Sequence, residues 1–527
     1  MEASMENKYA QRKETSTEFM LMPENCRAQI NFLRKNVTTE LSSDFTLPDY
    51  YPEIRKVLCI TARLSPISRY VGGSNIEFSG RADYDMVYVS GEGKPASVPL
   101  GTDFSFSVPA DIPDEIDWEN SGEVFADTEC GEVHCRVSSP RKINVKSRLR
   151  SLVRLYGEVE LSPELKNIKQ SSEKLCSEES SAILHRYMSE ITELEEDVPI
   201  DGNNENINVI SCDGAASISE SFISDGGISC RGDVLLTAVY ENTDEEKIYT
   251  ISRKVPFSQT IDIPSDARQA TSCAVKGITG ELKAEVSDGK LTLGALLTLE
   301  ADTALNTPLS VTRDIFIPAC QSDTDYRDFN FETVEKCANA SHTLSESVPI
   351  ADFSMSSESE IISSSATART DDIQTDNGKA CINGSCRICI ISKNGGEYSS
   401  GEVTLPFTYD IGSVGENEWL SMASRPTVTA VRCRMEGEDV LCEVDIALSH
   451  CITSRKKIKI AENITVRASE EVPQSSGITV YYPKKGETLW EVARSFSVPL
   501  RRLAAANDLP SARGDEDVSG KRFIMIY

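Results

Sequence analysis

The sequence predicts a mainly β chain: three tandem β-rich units of about 150 residues, then a small βααβ module. Three observations carry this. Apolar and charged residues mostly alternate through stretches such as 142–156 and 457–466, as they do in strands with one buried face. Anchor residues recur at one step: Gly80, Gly232 and Gly384 stand 152 residues apart. The last fifty residues switch to helical spacing.

The repeat fixes the organisation. Val57, Val209 and Ile361 keep the same step, as do Val87, Val239 and Ile391. Phe104, Phe257 and Phe407 follow with shifts of one or two. Each glycine lies inside an apolar-alternating stretch, followed by a polar turn and a Phe-bearing strand. A strand-interior glycine marks a bulge or a close backbone approach. These anchors divide the chain into units at 15–165, 166–317 and 318–470, a short linker at 471–477 and a module at 478–527. The segment 183–196, ILHRYMSEITELEE, has a helical look, but by analogy with the other units it reads as a strand and turn.

The module follows from its own residues. Thr488-Leu489-Trp490-Glu491 spells a capping box, hydroxyl first and carboxylate three residues on. Leu489, Val492, Ala493 and Phe496 then share one helical face. Pro499 suits the first turn of a second helix, where its missing N–H costs nothing. Leu500, Leu503 and Ala504 supply its apolar stripe, and Asn507 is the expected terminator. Val518 to Ile526, with a turn at Gly520, reads as the closing strand.

Composition narrows the function. Formal net charge is −29 over 527 residues. Residues 478–527 hold eight Lys/Arg against six Asp/Glu, so the rest carries −31 (46 basic, 77 acidic). So acidic a body disfavours nucleic acid, whose phosphates need neutralising cations. It also offers an attraction for the chain's own basic tail, or for a basic partner. No apolar run approaches the length of a membrane span. The opening MEASMENKYAQRKETS has no apolar h-region, so a secretory signal is not expected.

Sixteen cysteines spread from Cys26 to Cys451, far sparser than in a disulfide scaffold. The tight group Cys381, Cys386 and Cys389 invites a metal or redox reading. In a strand, however, residues three apart face opposite ways, and Cys386 would share its face with Ile382, Ile388 and Ile390. Buried thiols are the expectation, with no metal and no cofactor. The four histidines, His134, His185, His342 and His450, fall in no metal or catalytic spacing, and no enzyme is expected. Arg141, Lys142, Lys146, Arg148, Arg150 and Arg154 form a basic stretch at the end of the first unit. It reads as a solvated strand face, or as a surface for anionic lipid.

Two resemblances complete the reading. KKGETLWEVA, AANDL and SGKRF resemble the LysM module, which binds N-acetylglucosamine polymers. The resemblance implies ligand loops at Gly486-Glu487-Thr488-Leu489, with Trp490 following, and at Asn507-Asp508-Leu509-Pro510. In a purely structural reading Gly486 turns, Thr488 caps and Leu489 packs. Trp490 reads equally as a partner anchor and as half-buried core. Pro483 and the insert Ser511–Asp517 depart from the family pattern. LPDYYPEIRKVLCITARL, GRADYDMVYV, FSFSVPADIP and SPRKINVKSRLRSLVRL resemble the SPOCS domain of spore-coat morphogenetic proteins, the group that includes SipL and SpoVID. This implies a non-enzymatic coat scaffold in the mother-cell cytoplasm, peripheral to the forespore outer membrane. Its LysM tail would dock a coat-basement ATPase (SpoIVA-like) and its repeats other coat proteins. The alternative is a peptidoglycan or GlcNAc-polymer binder.

Overall fold

Alternating sequence produces long antiparallel strands, and three sets of them share a core pairing order, with one extra strand in the first set and one in the second. The computed structural model describes residues 26–162, 172–200, 206–245, 247–265, 267–287, 289–376, 378–414, 420–471, 477–509 and 514–527. The first set runs β1 (Arg27–Thr46), β2 (Ile54–Leu64), β3 (Ser68–Gly72), β4 (Asn75–Ser90), β5 (Pro95–Pro109), a short helix α1 (Trp118–Ser121), β6 (Glu123–Ser139) and β7 (Lys142–Glu160). One sheet is β1-β7-β6; in the other, β4 is flanked by β2 and β3 on one side and β5 on the other. The second set comprises β8 (Glu173–Met188), β9 (Thr192–Pro199), β10 (Ile207–Ser224), β11 (Gly227–Asn242), β12 (Lys247–Ile261), β13 (Ser272–Ser287) and β14 (Lys290–Phe316). It forms β10-β11-β12 and β13-β14-β8, with β9 also on β14. The third holds β15 (Cys320–Pro349), β16 (Glu360–Asp376), β17 (Lys379–Asn394), β18 (Glu397–Ser413), β19 (Leu420–Glu436) and β20 (Asp439–Glu471), as β16-β17-β18 and β15-β20-β19. The segment 183–196 is indeed strand, turn and strand: β8 ends at Met188, β9 begins at Thr192, and both pair with β14.

Each sheet pair closes on its own core. Phe78, Met86 and Tyr88 meet Leu149, Val153 and Leu155 in the first; Val234 and Leu236 meet Leu293 and Leu297 in the second; Ile388 and Ile390 meet Val444 and Ile446 in the third. The glycine and phenylalanine anchors prove to be one contact. Gly80 pairs with Phe104, Gly232 with Phe257 and Gly384 with Phe407 across neighbouring strands. A Cβ on Gly80 would meet the Phe104 ring at 2.8 Å, and one on Gly384 would meet the Phe407 ring at 2.3 Å and the Arg369 carbonyl at 2.5 Å. The glycine is there because the aromatic ring lies across its backbone and leaves no room for a Cβ.

The step of 152 also marks where the pairs meet. Register shifts follow Val57, Val209 and Ile361, so that Leu58, Ile210 and Ile362 are left unpaired in their ladders. A bulge bends its strand and re-aims a side chain. The three bulged residues converge with Val87, Val239 and Ile391 in a single buried cluster. Full burial of each such side chain contributes about 1.5–3 kcal/mol.

A second junction is ionic. Arg186 bonds Asp302 at 2.6 Å and Asp127 at 2.8 Å; Arg154 bonds Asp127 at 3.0 Å; Arg425 reaches Asp302 at 3.2 Å and also pairs with Glu300. All three sheet pairs contribute. Side chains of Arg154, Arg186, Arg425 and Asp302 are at most 5% exposed, which makes pairing obligatory. Burial alone pushes the Asp127 carboxyl up, but the guanidiniums of Arg186, Arg154 and Arg425 outweigh it and hold it well below the usual carboxylate range. Asp302 is lowered for the same reason. Arg154, placed by sequence on a solvated face, is thus an interior residue; Arg141 and Arg148 of that stretch pair with surface carboxylates. Over the network opens a cavity of about 780 Å³, lined from all three pairs by residues such as Thr61, Glu129, Lys276, Ser365 and Arg425.

Cys386 is fully buried with Ile382, Ile388 and Ile390, as the strand reading requires. Among the described residues no helix is long and apolar enough to cross a membrane.

Two outcomes follow. Gly384→Val forces the Phe407 ring and the Arg369 carbonyl aside, and urea denaturation should show a loss of about 1–3 kcal/mol. Arg186→Met removes the guanidinium shared by two buried carboxylates, leaving Asp127 to Arg154 and Asp302 to Arg425, and should cost about 3–5 kcal/mol at pH 7. The pH dependence has a definite sign. Asp127 and Asp302 have lowered folded-state values, so their stabilisation is present above about 3.9, the unfolded carboxylate value. It is lost as pH falls through the folded values. Urea midpoints measured from pH 7 to pH 2 should show a shallower acid limb in Arg186→Met than in the parent.

Candidate functional site: the C-terminal module and its seat

The tail folds as βααβ: β21 (Thr479–Tyr481), α2 (Leu489–Ser495), α3 (Leu500–Ala506) and β22 (Ile524–Ile526), with β21 and β22 antiparallel. The capping box is present in full. Thr488 Oγ1 accepts from the Glu491 amide at 3.3 Å, and the Glu491 carboxylate accepts from the Thr488 amide at 2.8 Å. Leu489, Val492, Ala493, Leu500, Leu503 and Ala504 are buried, with Ile524 and Ile526 closing the small core. Pro499 stands one position before the second helix, as its N-cap. The closing strand is shorter than its apolar pattern predicts. Val518 is a buried anchor, and pairing begins only at Ile524 because Ser519–Arg522 turn.

The candidate binding residues divide into two classes. Gly486 and Asp508 are exposed, both with left-handed backbone (φ +78° and +50°) that lets tight loops point outward. Glu487 and Thr488 are half-buried; the Glu487 carboxylate ties Tyr481 Oη at 2.9 Å and the Lys484 amide at 2.7 Å. Asn507 caps α3 and braces β22: it donates to the Leu503 and Met525 carbonyls, each at 2.8 Å, and accepts from the Met525 amide at 2.6 Å. Leu509 packs on the core from the edge. Pro510 lies outside the described residues. Leu489 and Trp490 are 0% and 3% exposed, so neither presents itself to a partner in this arrangement.

Trp490 is spent on the body. Its ring meets Phe316 edge-on, centroids 5.0 Å apart, and its indole N–H donates to Asp314 Oδ2 at 2.7 Å. Arg494, one turn on, pairs with the same carboxylate and donates to Tyr326 Oη at 2.7 Å. The Ala319 amide donates to the Ser497 carbonyl at 2.8 Å. The seat is therefore the crossing from β14 to β15, which sequence reasoning missed. The only signal for it was general: an acidic body and a basic tail attract, and Arg494 with Asp314 is a local instance. The end of the acidic insert forms a further margin. The Leu489 amide donates to the Glu516 carbonyl at 2.9 Å, Trp490 to Gly514 at 3.0 Å and Val518 to Glu487 at 3.0 Å. Asp515 and Asp517 are thereby set, exposed, beside the Gly486–Leu489 loop.

Comparison with known families bears directly on these two parts. The family model of the SipL SPOCS domain matches residues 207–297, and that of the LysM domain matches residues 484–513. The chain carries a SipL-type SPOCS domain and a C-terminal LysM domain. No curated protein and no solved structure matches the chain. The SPOCS match spans β10, β11, β12, β13 and the start of β14; the LysM match spans the two helices and both candidate loops. Both families are non-catalytic structural or binding domains. Together they fit a sporulation coat protein with a peptidoglycan-binding module. A LysM domain points to GlcNAc glycans such as peptidoglycan as its ligand class.

Asp314→Ala should loosen the LysM seat without unfolding either part. It leaves the buried indole N–H and the Arg494 guanidinium short of an acceptor, a cost of about 1–3 kcal/mol. Hydrogen exchange of the α2 amides should accelerate, while that of β14 and β20 stays as it was.

Proposed function

We propose that the chain is a non-enzymatic scaffold of the endospore coat. Its body is read as three copies of the SPOCS unit, at 15–165, 166–317 and 318–470. Its LysM tail is read as a docking module for a coat-basement ATPase of the SpoIVA kind. On this reading the protein works in the mother-cell cytoplasm, at the surface of the forespore outer membrane, and the body engages other coat proteins.

One observation supports the adaptor reading above others: the LysM domain is seated on the body through Trp490, Arg494, Asp314, Phe316 and Tyr326. A module held so presents its exposed loops, with Gly486 and Asp508, in a fixed direction, and preorganisation lowers the entropy cost of binding a large partner. Leu489, Trp490, Asn507 and Leu509 then shape and support that surface, while Gly486, Glu487, Thr488 and Asp508 make its outer part. Pro510 belongs to the same loop by sequence.

The second reading, a GlcNAc-polymer binder, is favoured by the LysM match itself and uses the same loops. Within that reading, the exposed acidic margin at Asp515 and Asp517 narrows the class of glycan. It opposes the carboxylates of peptidoglycan stem peptides but leaves an uncharged GlcNAc chain unaffected.

Capture from sporulating-cell lysate decides between them, using full-length bait and bait ending at Glu471. The adaptor reading expects the ATPase, identified by mass spectrometry, with the first bait and not the second. Titration of the full chain with GlcNAc hexamer is the counterpart. Saturable micromolar binding, with no ATPase captured, would move the assignment to the glycan.

A further inference from the structure

The three sheet pairs join cyclically, and one of the three joins differs in chemistry from the others. The polypeptide links the first pair to the second and the second to the third. The third meets the first only through contacts, including those of β2 with β17 and β18. At that join stand two thiols, Cys59 on β2 and Cys389 on β17, both in the cluster where the bulged residues converge. Cys59 Sγ lies 3.8 Å from Ser365 Oγ, and Ser365 is the direct ladder partner of Cys389. The two cysteines are 8% and 6% exposed. One step of 152 residues along, Cys59 is replaced by Ser211 and then by Ser363; one step back from Cys389 stand Thr237 and then Asp85. The thiol pair occurs only where no chain connection holds the ring.

We infer that Cys59 and Cys389 are an oxidative modification site: a disulfide between them staples the third sheet pair to the first and closes the ring covalently. The reactant is a small disulfide such as oxidised glutathione. The Cys59 thiolate attacks one glutathione sulfur, forming a mixed disulfide and releasing one glutathione thiolate. The Cys389 thiolate then attacks the Cys59 sulfur of that mixed disulfide, forming the Cys59–Cys389 bond and releasing the second. Two thiols are oxidised, one glutathione disulfide is reduced to two thiols, and the two protons pass to the departing glutathiones. The order of events follows position in the sheets: Cys59 is on the edge strand β2, whereas Cys389 is on β17, the inner strand of its sheet, so Cys59 supplies the first nucleophile. Access is by way of β2, an edge strand bulged at Leu58. The loop closed would span 59 to 389, and long loops lose the most unfolded-state freedom on cross-linking. Cys337 with Cys451, and Cys433 with Cys442, also face each other, but each pair lies within one sheet. Bonding either would staple strands that are already paired.

The full chain, purified reduced, is incubated with oxidised glutathione, alkylated and digested without reduction. The expected result is a linked peptide pair carrying Cys59 and Cys389, with a urea midpoint that rises on oxidation and returns with dithiothreitol. Recovery of Cys59 and Cys389 as separate alkylated or glutathionylated peptides would overturn the inference, as would cross-links confined to Cys337–Cys451 and Cys433–Cys442. Cys389→Ser provides the control: its urea midpoint should no longer respond to oxidation.

Discussion

Six charged side chains in the middle of the molecule hold its parts in register. Asp127 and Arg154 come from the first sheet pair, Arg186, Glu300 and Asp302 from the second, and Arg425 from the third. Replacing such a network with hydrophobic residues would be near neutral or stabilising in many proteins, since burying charge is expensive. Its effect here is one of specification. Three similar sheet pairs with similar apolar edges could join in several orders or slip along one another. Bidentate guanidinium–carboxylate pairing tolerates only one geometry. The bulged aliphatic cluster of Leu58, Ile210 and Ile362 supplies apolar contact at the same joins.

The position of the tail depends on that body. Asp314 and Phe316 close the long strand β14, whose middle carries Glu300 and Asp302. The strand that anchors the ionic centre thus also forms the seat for Trp490 and Arg494. A stiff strand joining the two gives the LysM domain a fixed orientation, which a free linker would not. For a scaffold that must present one module while its body contacts other components, fixed presentation is the useful property.

Much of this was legible in the sequence, and the part that was not has a physical reason. Gly80, Gly232 and Gly384 announced a close approach, and Phe104, Phe257 and Phe407 are what approaches. Thr488 and Glu491 gave the capping box without ambiguity, because a cap is a local device. The step of 152 residues between Val57, Val209 and Ile361 marked equivalent places but could not say that the next residue of each is bulged and points to a shared centre. Periodicity reports which face is apolar, not which faces meet. For the same reason Arg154 read as solvent-facing in a row of basic residues, since its partner Asp127 is on another strand. Trp490 offered both readings by sequence; only the placement of Asp314 and Phe316 beside it settles that its ring is covered.

Native-state hydrogen exchange of the full chain, followed strand by strand in rising denaturant, tests the central claim that the three sheet pairs are one cooperative body. The account predicts that the inner strands β4, β11 and β17 exchange with a common opening free energy and a common denaturant dependence, because the shared ionic and aliphatic centres open together. Three separate opening energies, one for each sheet pair, would contradict it and reduce the body to independent domains on a string.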